Sequence, residues 1–354
     1  MLEGRNRARP EGARRSRGER SGRVRGDRRA GEGRARSLTR QAFLDQIRSS
    51  NGRSPLYEQL WRRLADDPRV DDLVDGELDW RTPLELAAAL HYLVLGGEAS
   101  WDDVDSALDE HVAFIRRFVR EQTVQTNEVQ RSWMLLPCFL EIARRAGVEE
   151  LDLLEIGWSA GLNLVWDRYR YRYTAGEWGP AGARLELSGE ERRAVPGELL
   201  ARTLRVVSRV GVDLSPIDVT TDEGARLLKS FVWADNTWRL EQLDRAIEAL
   251  RDDPPELVRG DAVEEVPQLL AGGSDRLMVV VQSTVFGYIG AEGTKQIYAA
   301  LEEAATRRPL AYVGTHQPHK DEHTYWALAV RVWPGEREPV AHGDFHGKWI
   351  EWLS

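Results

Sequence analysis

Glu155, Gly157, Ser159 and Gly161 occupy every second position at the end of an apolar run, inside the segment LDLLEIGWSAGLNLVWD from Leu151 to Asp167. Glycine lacks a Cβ, so at 157 and 161 the chain can turn sharply and a ligand can approach the backbone closely. Glu155 closes an otherwise apolar strand, where a carboxylate is costly to bury without a partner. An amine on a ligand would be one. The simplest alternative is an ordinary strand-to-helix turn in which the glycines serve packing, and the four residues alone leave both readings open.

The flanking elements must hold this turn at a sheet edge. Leu151, Leu153, Leu154 and Ile156 form a short apolar run of the kind buried on both faces of a parallel sheet. Leu162, Leu164 and Val165 are expected to start a helix whose free N–H groups face the crevice, with Asn163 among the candidate contacts. Further strands are predicted at 205–219 (RVVSRVGVDLSPIDV), around VRGDAV at 258–263, at 277–289 (LMVVVQSTVFGYI) and at 310–315 (LAYVGT). They alternate with helical patterns at 239–250 and 293–307, which gives βαβ units and a parallel sheet. YWALAVRVW at 325–333 and KWIEWL at 348–353 are expected to close it as an antiparallel hairpin. Asp213 and Asp261 each follow a short strand, where an acid can accept ribose hydroxyls or serve only as a turn residue. In DRYRYRY, 167–173, period two predicts a strand with tyrosines packed on one face and arginines solvated on the other, and 174–200 reads as an insertion.

Residues 41–147 carry helical patterns. Ser54 and Pro55 fit a helix start before Leu56, Leu60 and Leu64; Thr82, Pro83 and Glu85 predict a capping box; Ser100 and Asp103 cap a helix expected to run through Val112, Ile115 and Val119. Gln125, Thr126, Asn127, Glu128 and Arg131 precede apolar WMLLPCFL, and spacings of three and four place Asn127, Glu128 and Arg131 on one helical face. They either lock that helix to the sheet or line the same crevice as the glycine turn.

The whole chain is an α/β protein by this reading: an Arg-rich head at 1–40, a helical region at 41–147 and a Rossmann-like, mostly parallel sheet domain at 148–354. Residues 1–40 contain 14 Arg against 5 Asp or Glu, a charge of +9, so the overall −9 leaves −18 on the rest. The head has too little apolar surface to order itself. It is either a basic arm for nucleic acid or an over-long start; without aromatic residues for stacking, and beside an acidic body, nucleic acid is not the expected main partner. The lone Cys138 rules out internal disulfides, and no run reaches the roughly 18 apolar residues of a membrane span, so a cytoplasmic protein with a small-molecule ligand and no membrane is expected.

The segments QTNEVQRSWMLLP, LLEIGWSAGLNLVWDRYRYRY, GVDLSP, VRGDA and HGKWIEW, spread in that order over residues 125–352, resemble the bacterial family of domain of unknown function 2332. The resemblance reaches back to SPLYEQL and HYLVL. It implies a sheet similar to that of class I S-adenosylmethionine-dependent methyltransferases, and so S-adenosylmethionine as cofactor. By position the resemblance places Glu155, Gly157, Ser159 and Gly161 at its methionine and ribose part, Asp213 at the ribose and Asp261 near the adenine, and Asn163 is a further cofactor-binding candidate. The chain departs from the pattern at Ser159, where a glycine is usual, and at bulky Trp158. No motif fixes a catalytic group; Asp167, Tyr169, Ser283 and Tyr288 are candidates, and Gln125, Asn127, Glu128, Arg131 and Gln282 are candidate crevice linings.

Other chemistries are carried by the same residues. Gly157, Ser159 and Gly161 spell GxSxG, the nucleophile elbow of α/β-hydrolases, which would make Ser159 an esterase nucleophile. His316, His319 and His323, with His342 and His346 flanking Asp344, have side chains suited to zinc or iron, although the spacing assigns no metal site. A ligand-binding sensor without catalysis is the non-enzymatic reading.

Overall fold

The computed structural model describes residues 40–353 apart from 49, 51, 75–79, 273 and 318–324. The Arg-rich head up to residue 39, with His319 and His323, lies outside the described residues. After a helical stretch at 40–48, the N-terminal layer comprises α1 (Pro55–Leu64), α2 (Arg69–Leu73), α3 (Thr82–Leu95), α4 (Val104–Glu110), α5 (Val112–Glu121) and α6 (Arg131–Ala146). Ser54 caps α1 by accepting the Tyr57 N–H at 3.1 Å, with Pro55 in the first turn. Three local expectations need correction. Thr82 lies inside α3 and Arg81 stands at the N-cap, one residue earlier than the capping box requires. The helix expected beyond Asp103 breaks at His111 into α4 and α5. Residues 122–128 are not helical at all, and α6 begins only at Arg131.

The sheet strands are β1 (Glu150–Ile156), β2 (Arg170–Tyr173), β3 (Gly176–Trp178), β4 (Glu186–Ser188), β5 (Glu190–Arg193), β6 (Arg205–Asp213), β7 (Glu256–Arg259), β8 (Leu277–Gln282), β9 (Leu310–His316), β10 (Trp326–Val332), β11 (Glu338–Gly343) and β12 (Trp349–Trp352). Nine of them form one sheet in the order β5-β12-β11-β10-β9-β8-β1-β6-β7, and β3-β2-β4 form a small second sheet. The run β7-β6-β1-β8-β9 is parallel throughout, and the winding reverses between β1 and β8. A crevice opens at the carboxyl ends of strands at such a reversal. The crossovers include α7 (Gly197–Leu200), α8 (Asp222–Ser230) and α9 (Thr237–Arg251), then α10 (Ala262–Ala271) and α11 (Phe286–Ala305).

The closing hairpin is different from the one expected. β10 and β12 do not pair; β11 lies between them and is antiparallel to both, and the insertion's β5 extends the edge beyond β12. In DRYRYRY the alternation is as expected: Tyr171 and Tyr173 are buried on β2. Tyr169, just before it, is also buried.

After β1 the chain makes a short 3-10 helix, Leu162–Arg168, instead of an α-helix. Its position is fixed by Trp158, whose indole packs under β6. A Cβ on Gly211 would come within 2.5 Å of the Trp158 ring and 2.9 Å of Leu164. Gly211→Ala is therefore expected to lower stability by about 1–3 kcal/mol through overpacking, read from the urea midpoint; an unchanged midpoint would contradict this packing of the turn.

Candidate functional site

A cleft of about 1150 Å³ opens at the carboxyl edge of the parallel strands, walled on the other side by the helical layer and the 122–131 segment. It is lined by Glu155, Gly157, Ser159 and Asn163 from the turn after β1, by Asp213 after β6, by Asp261 after β7, and by Ser283 and Tyr288 after β8. Gln125, Asn127 and Arg131 line it too, although they reach it from an extended loop and the first residue of α6. Trp80, Trp233 and Trp238 add aromatic surface, and the hollow remains open.

Four backbone N–H groups of the turn have specific partners. Gly157 sits at φ +75° and donates its N–H to Val212 O at 2.9 Å. Ser159, at φ +56°, donates its N–H to Asp213 Oδ2 at 2.9 Å and its hydroxyl to Gln125 Oε1 at 2.7 Å. Asp213 accepts a second backbone bond from Ser215 N–H at 2.9 Å. The Leu162 N–H donates to Asn127 Oδ1 at 2.8 Å and Gly161 N–H to Trp158 O. The expectation of free N–H groups at the helix start is thereby corrected for Gly161 and Leu162, which the protein's own acceptors occupy.

Several sequence candidates stand elsewhere. Asp167 forms a bidentate pair with Arg209, at 2.6 and 3.0 Å, behind the turn. Tyr169 is fully buried and donates to Leu162 O at 2.7 Å. Neither lines the cleft, and nor does Gly161. Trp158 does not face a ligand either; it is 1 % exposed under β6. Gln282 is buried at the end of β8 and donates to Thr315 O at 2.9 Å. Asp261 caps α10 through the Val263 N–H at 2.8 Å.

Two buried ionisable groups face the cleft without a salt bridge among the described residues. Glu155 is 2 % exposed, and its Oε2 has no hydrogen-bond partner among the described residues. Burial raises its pKa well above the ordinary carboxylate value, the Asp213 charge adds to this, and Arg131 opposes it. Arg131 is 9 % exposed; its Nε donates to Phe345 O at 2.9 Å and its guanidinium lies 4.9 Å from the Trp326 ring. No carboxylate oxygen among the described residues comes within the 4.0 Å of an ion pair. Burial lowers the Arg131 pKa, with Glu128 the chief opposing charge.

A third arrangement was not legible as a unit. Glu128 does not itself line the cleft, but it is buried behind it, bonded at 2.5 Å to Arg239 and at 3.1 Å to His346 Nδ1, and both of those residues do line it. Burial disfavours the Glu128 carboxylate, but Arg239, His346 and Arg131 outweigh it and its pKa falls. His342 instead approaches Glu351 at 3.4 Å, so the two late histidines serve different carboxylates. Among the described residues no three His, Cys, Asp or Glu side chains gather as a metal site, and no helix is long and apolar enough to cross a membrane.

The opposite shifts of Glu155 and Glu128 predict opposite pH behaviour. A carboxyl raised in the fold contributes fully below its unfolded pKa and loses that contribution as pH rises through the folded value; a depressed one contributes above the unfolded pKa and loses it as pH falls. Chemical denaturation across pH 4–8 is expected to show Glu155→Gln gaining stability over the parent toward neutral pH, and Glu128→Gln losing it there. Parallel curves for Glu155→Gln and the parent would contradict a buried, uncompensated Glu155.

A sequence profile described as "Uncharacterized protein conserved in bacteria (DUF2332)" matches residues 40–352. A comparison with curated proteins finds no match. With a profile match from the first described helix to the last strand, the chain belongs to the DUF2332 family of bacterial proteins.

Proposed function

We propose that the protein binds S-adenosylmethionine in this cleft and transfers its methyl group to a small-molecule acceptor. The observation that carries the reading is the pair of buried groups of opposite type, acidic Glu155 and basic Arg131, which face one cavity with no salt bridge to either among the described residues. Each feels the other's charge, yet they are too far apart to form an ion pair. A zwitterionic amino-acid end placed between them satisfies both, its ammonium on Glu155 Oε2 and its carboxylate on the Arg131 guanidinium. Such pairing offsets the desolvation that each charge suffers alone.

The remaining residues fit the rest of the ligand. Asp213 stands at the carboxyl end of β6 beside the winding reversal, and each of its oxygens keeps a lone pair beyond its one backbone bond, enough for ribose hydroxyls. Asp261 stands one strand farther out, where an adenine would extend. The strand order β7-β6-β1-β8-β9 supports a Rossmann-like, methyltransferase-like sheet, although the β10-β11-β12 meander is an elaboration of its own. The cleft exceeds the roughly 300–1,000 Å³ of usual small-ligand sites, leaving space for an acceptor alongside. When bound, S-adenosylmethionine supplies an electrophilic methyl carbon on a sulfonium sulfur. The chain's contribution is to orient both molecules, exclude water and accept a proton.

The esterase alternative has one favouring observation, the left-handed backbone of Ser159. Its hydroxyl donates to Gln125, however, and among the described residues no histidine bonds to it. Labelling by a fluorophosphonate that disappears in Ser159→Ala would favour that chemistry instead; ligand binding with no turnover would favour a sensor.

Calorimetry with S-adenosylhomocysteine and 5′-methylthioadenosine tests the proposal, because only the first carries the amino-acid end. Both are expected to bind, the first at least tenfold more tightly, about 1.4 kcal/mol. Glu155→Gln and Arg131→Gln should each erode that advantage while leaving 5′-methylthioadenosine unaffected. Failure of either compound to bind, or variants with undiminished preference, would contradict it.

A further inference from the structure

The loop between β11 and β12 is locked onto the 128–131 segment. Gln130 Nε2 donates to Gly347 O at 3.3 Å, and Arg131 Nε donates to Phe345 O at 2.9 Å. A Cβ at Gly347 would lie 2.4 Å from Gln130 O, so the two backbones touch. Within the loop, Asp344 Oδ1 accepts the N–H groups of His346 and Lys348 at 2.8 and 3.2 Å. His346 is thus presented from a rigid turn, its Nδ1 held at 3.1 Å by Glu128 and its half-exposed ring lining the cleft. Glu128 is in turn held by Arg239 from α9.

From this geometry we infer that His346 is the general base of the reaction and that the acceptor is a hydroxyl-bearing small molecule; the inference rests on the methyl-transfer reading above. A buried carboxylate on Nδ1 fixes the imidazole as the Nδ1–H tautomer and leaves the Nε2 lone pair directed outward. Base, orienting carboxylate and the Arg239 that anchors the carboxylate form a chain ending at the cavity. Arg131 ties this wall to the Glu155 end, since it bonds the residue preceding His346 and its charge is felt at Glu155. The groups around His346 are Glu128 and Arg131 from the clasped segment, Arg239 from α9, and Asp344 and Lys348 from its own loop. Arg239 and Lys348 line the cleft as cations, which disfavours an approaching ammonium and favours an oxygen that becomes negative.

In the step, the acceptor oxygen bonds to the methyl carbon, the carbon–sulfur bond breaks with its electron pair moving to sulfur, and the hydroxyl proton passes to His346 Nε2. The sulfonium charge is thereby lost and an imidazolium charge appears, which Glu128 stabilises.

Long-range proton–nitrogen NMR of the full chain reads the His346 ring directly. The expected spectrum shows the Nδ1–H tautomer in the parent and loss of that preference in Glu128→Gln; an Nε2–H tautomer in the parent, or a tautomer balance unchanged in Glu128→Gln, overturns the proposal. The second readout is transfer of labelled methyl from S-adenosylmethionine to a panel of phenols, alcohols, amines, thiols and carboxylates. Label is expected on hydroxyl acceptors, with His346→Ala lowering turnover about 100-fold and flattening the acidic limb of the pH profile while S-adenosylhomocysteine affinity stays within about twofold. Label on other acceptors only, on none, or undiminished in His346→Ala overturns the assignment of His346 alone. Parent protein that binds no S-adenosylhomocysteine overturns the cofactor reading, and this inference with it.

Discussion

An acid at the end of a strand buried on both faces has two ways to persist: it stays protonated, or something neutralises it. At Glu155 burial and the nearby Asp213 both disfavour the charged form, and one of its oxygens has no hydrogen-bond partner among the described residues. The surrounding fold makes this arrangement unavoidable. β1 lies between β6 and β8, so Glu155 stands against Gly211 on one side and Val281 on the other. Nothing on either neighbouring strand at that level offers a charge, and the only direction left open is the cleft. The winding reversal between β1 and β8 is what creates that opening.

Opposite this carboxyl, the helical layer and the C-terminal meander together form the other wall. The clasp of residues 128–131 against 344–347 has a consequence for both ends of the site. It holds Arg131 with no salt bridge among the described residues, and it presents His346 with its inner nitrogen on Glu128. The same few hydrogen bonds therefore hold both the cation and the imidazole that the proposed reaction would use. The N-terminal layer is part of the site, as its loop after α5 supplies the Gln125 and Asn127 contacts that hold the turn after β1.

Much of the architecture was readable because it follows from periodicity. Apolar runs alternating with helical patterns gave the parallel strands, and the two-residue alternation in DRYRYRY gave β2 with its tyrosines inward. The features that escaped have specific causes. β11, EPVAHG, carries Pro339, which has no N–H to give to a ladder, and only brief apolar content, so its intervention between β10 and β12 left no pattern to detect. The polar cluster at 125–131 has helical spacing by coincidence; its side chains are instead committed to the turn and to the 344–348 loop, which removes residues 122–128 from any helix. Glu128 and His346 are 218 positions apart, and only the tertiary fold joins them. Asp167 and Tyr169 looked available for chemistry by type, yet an arginine on a neighbouring strand and a nearby carbonyl claim them.

Whatever occupies the gap between Glu155 and Arg131 decides the function, and a crystal structure of the protein with S-adenosylhomocysteine addresses that most directly. It should place the ligand's amino nitrogen about 3 Å from Glu155 Oε2, with its carboxylate on Arg131 and its ribose hydroxyls on Asp213. Density for the ligand elsewhere, or a cleft that stays empty at saturating concentration, would contradict the methyl-transfer reading at its foundation.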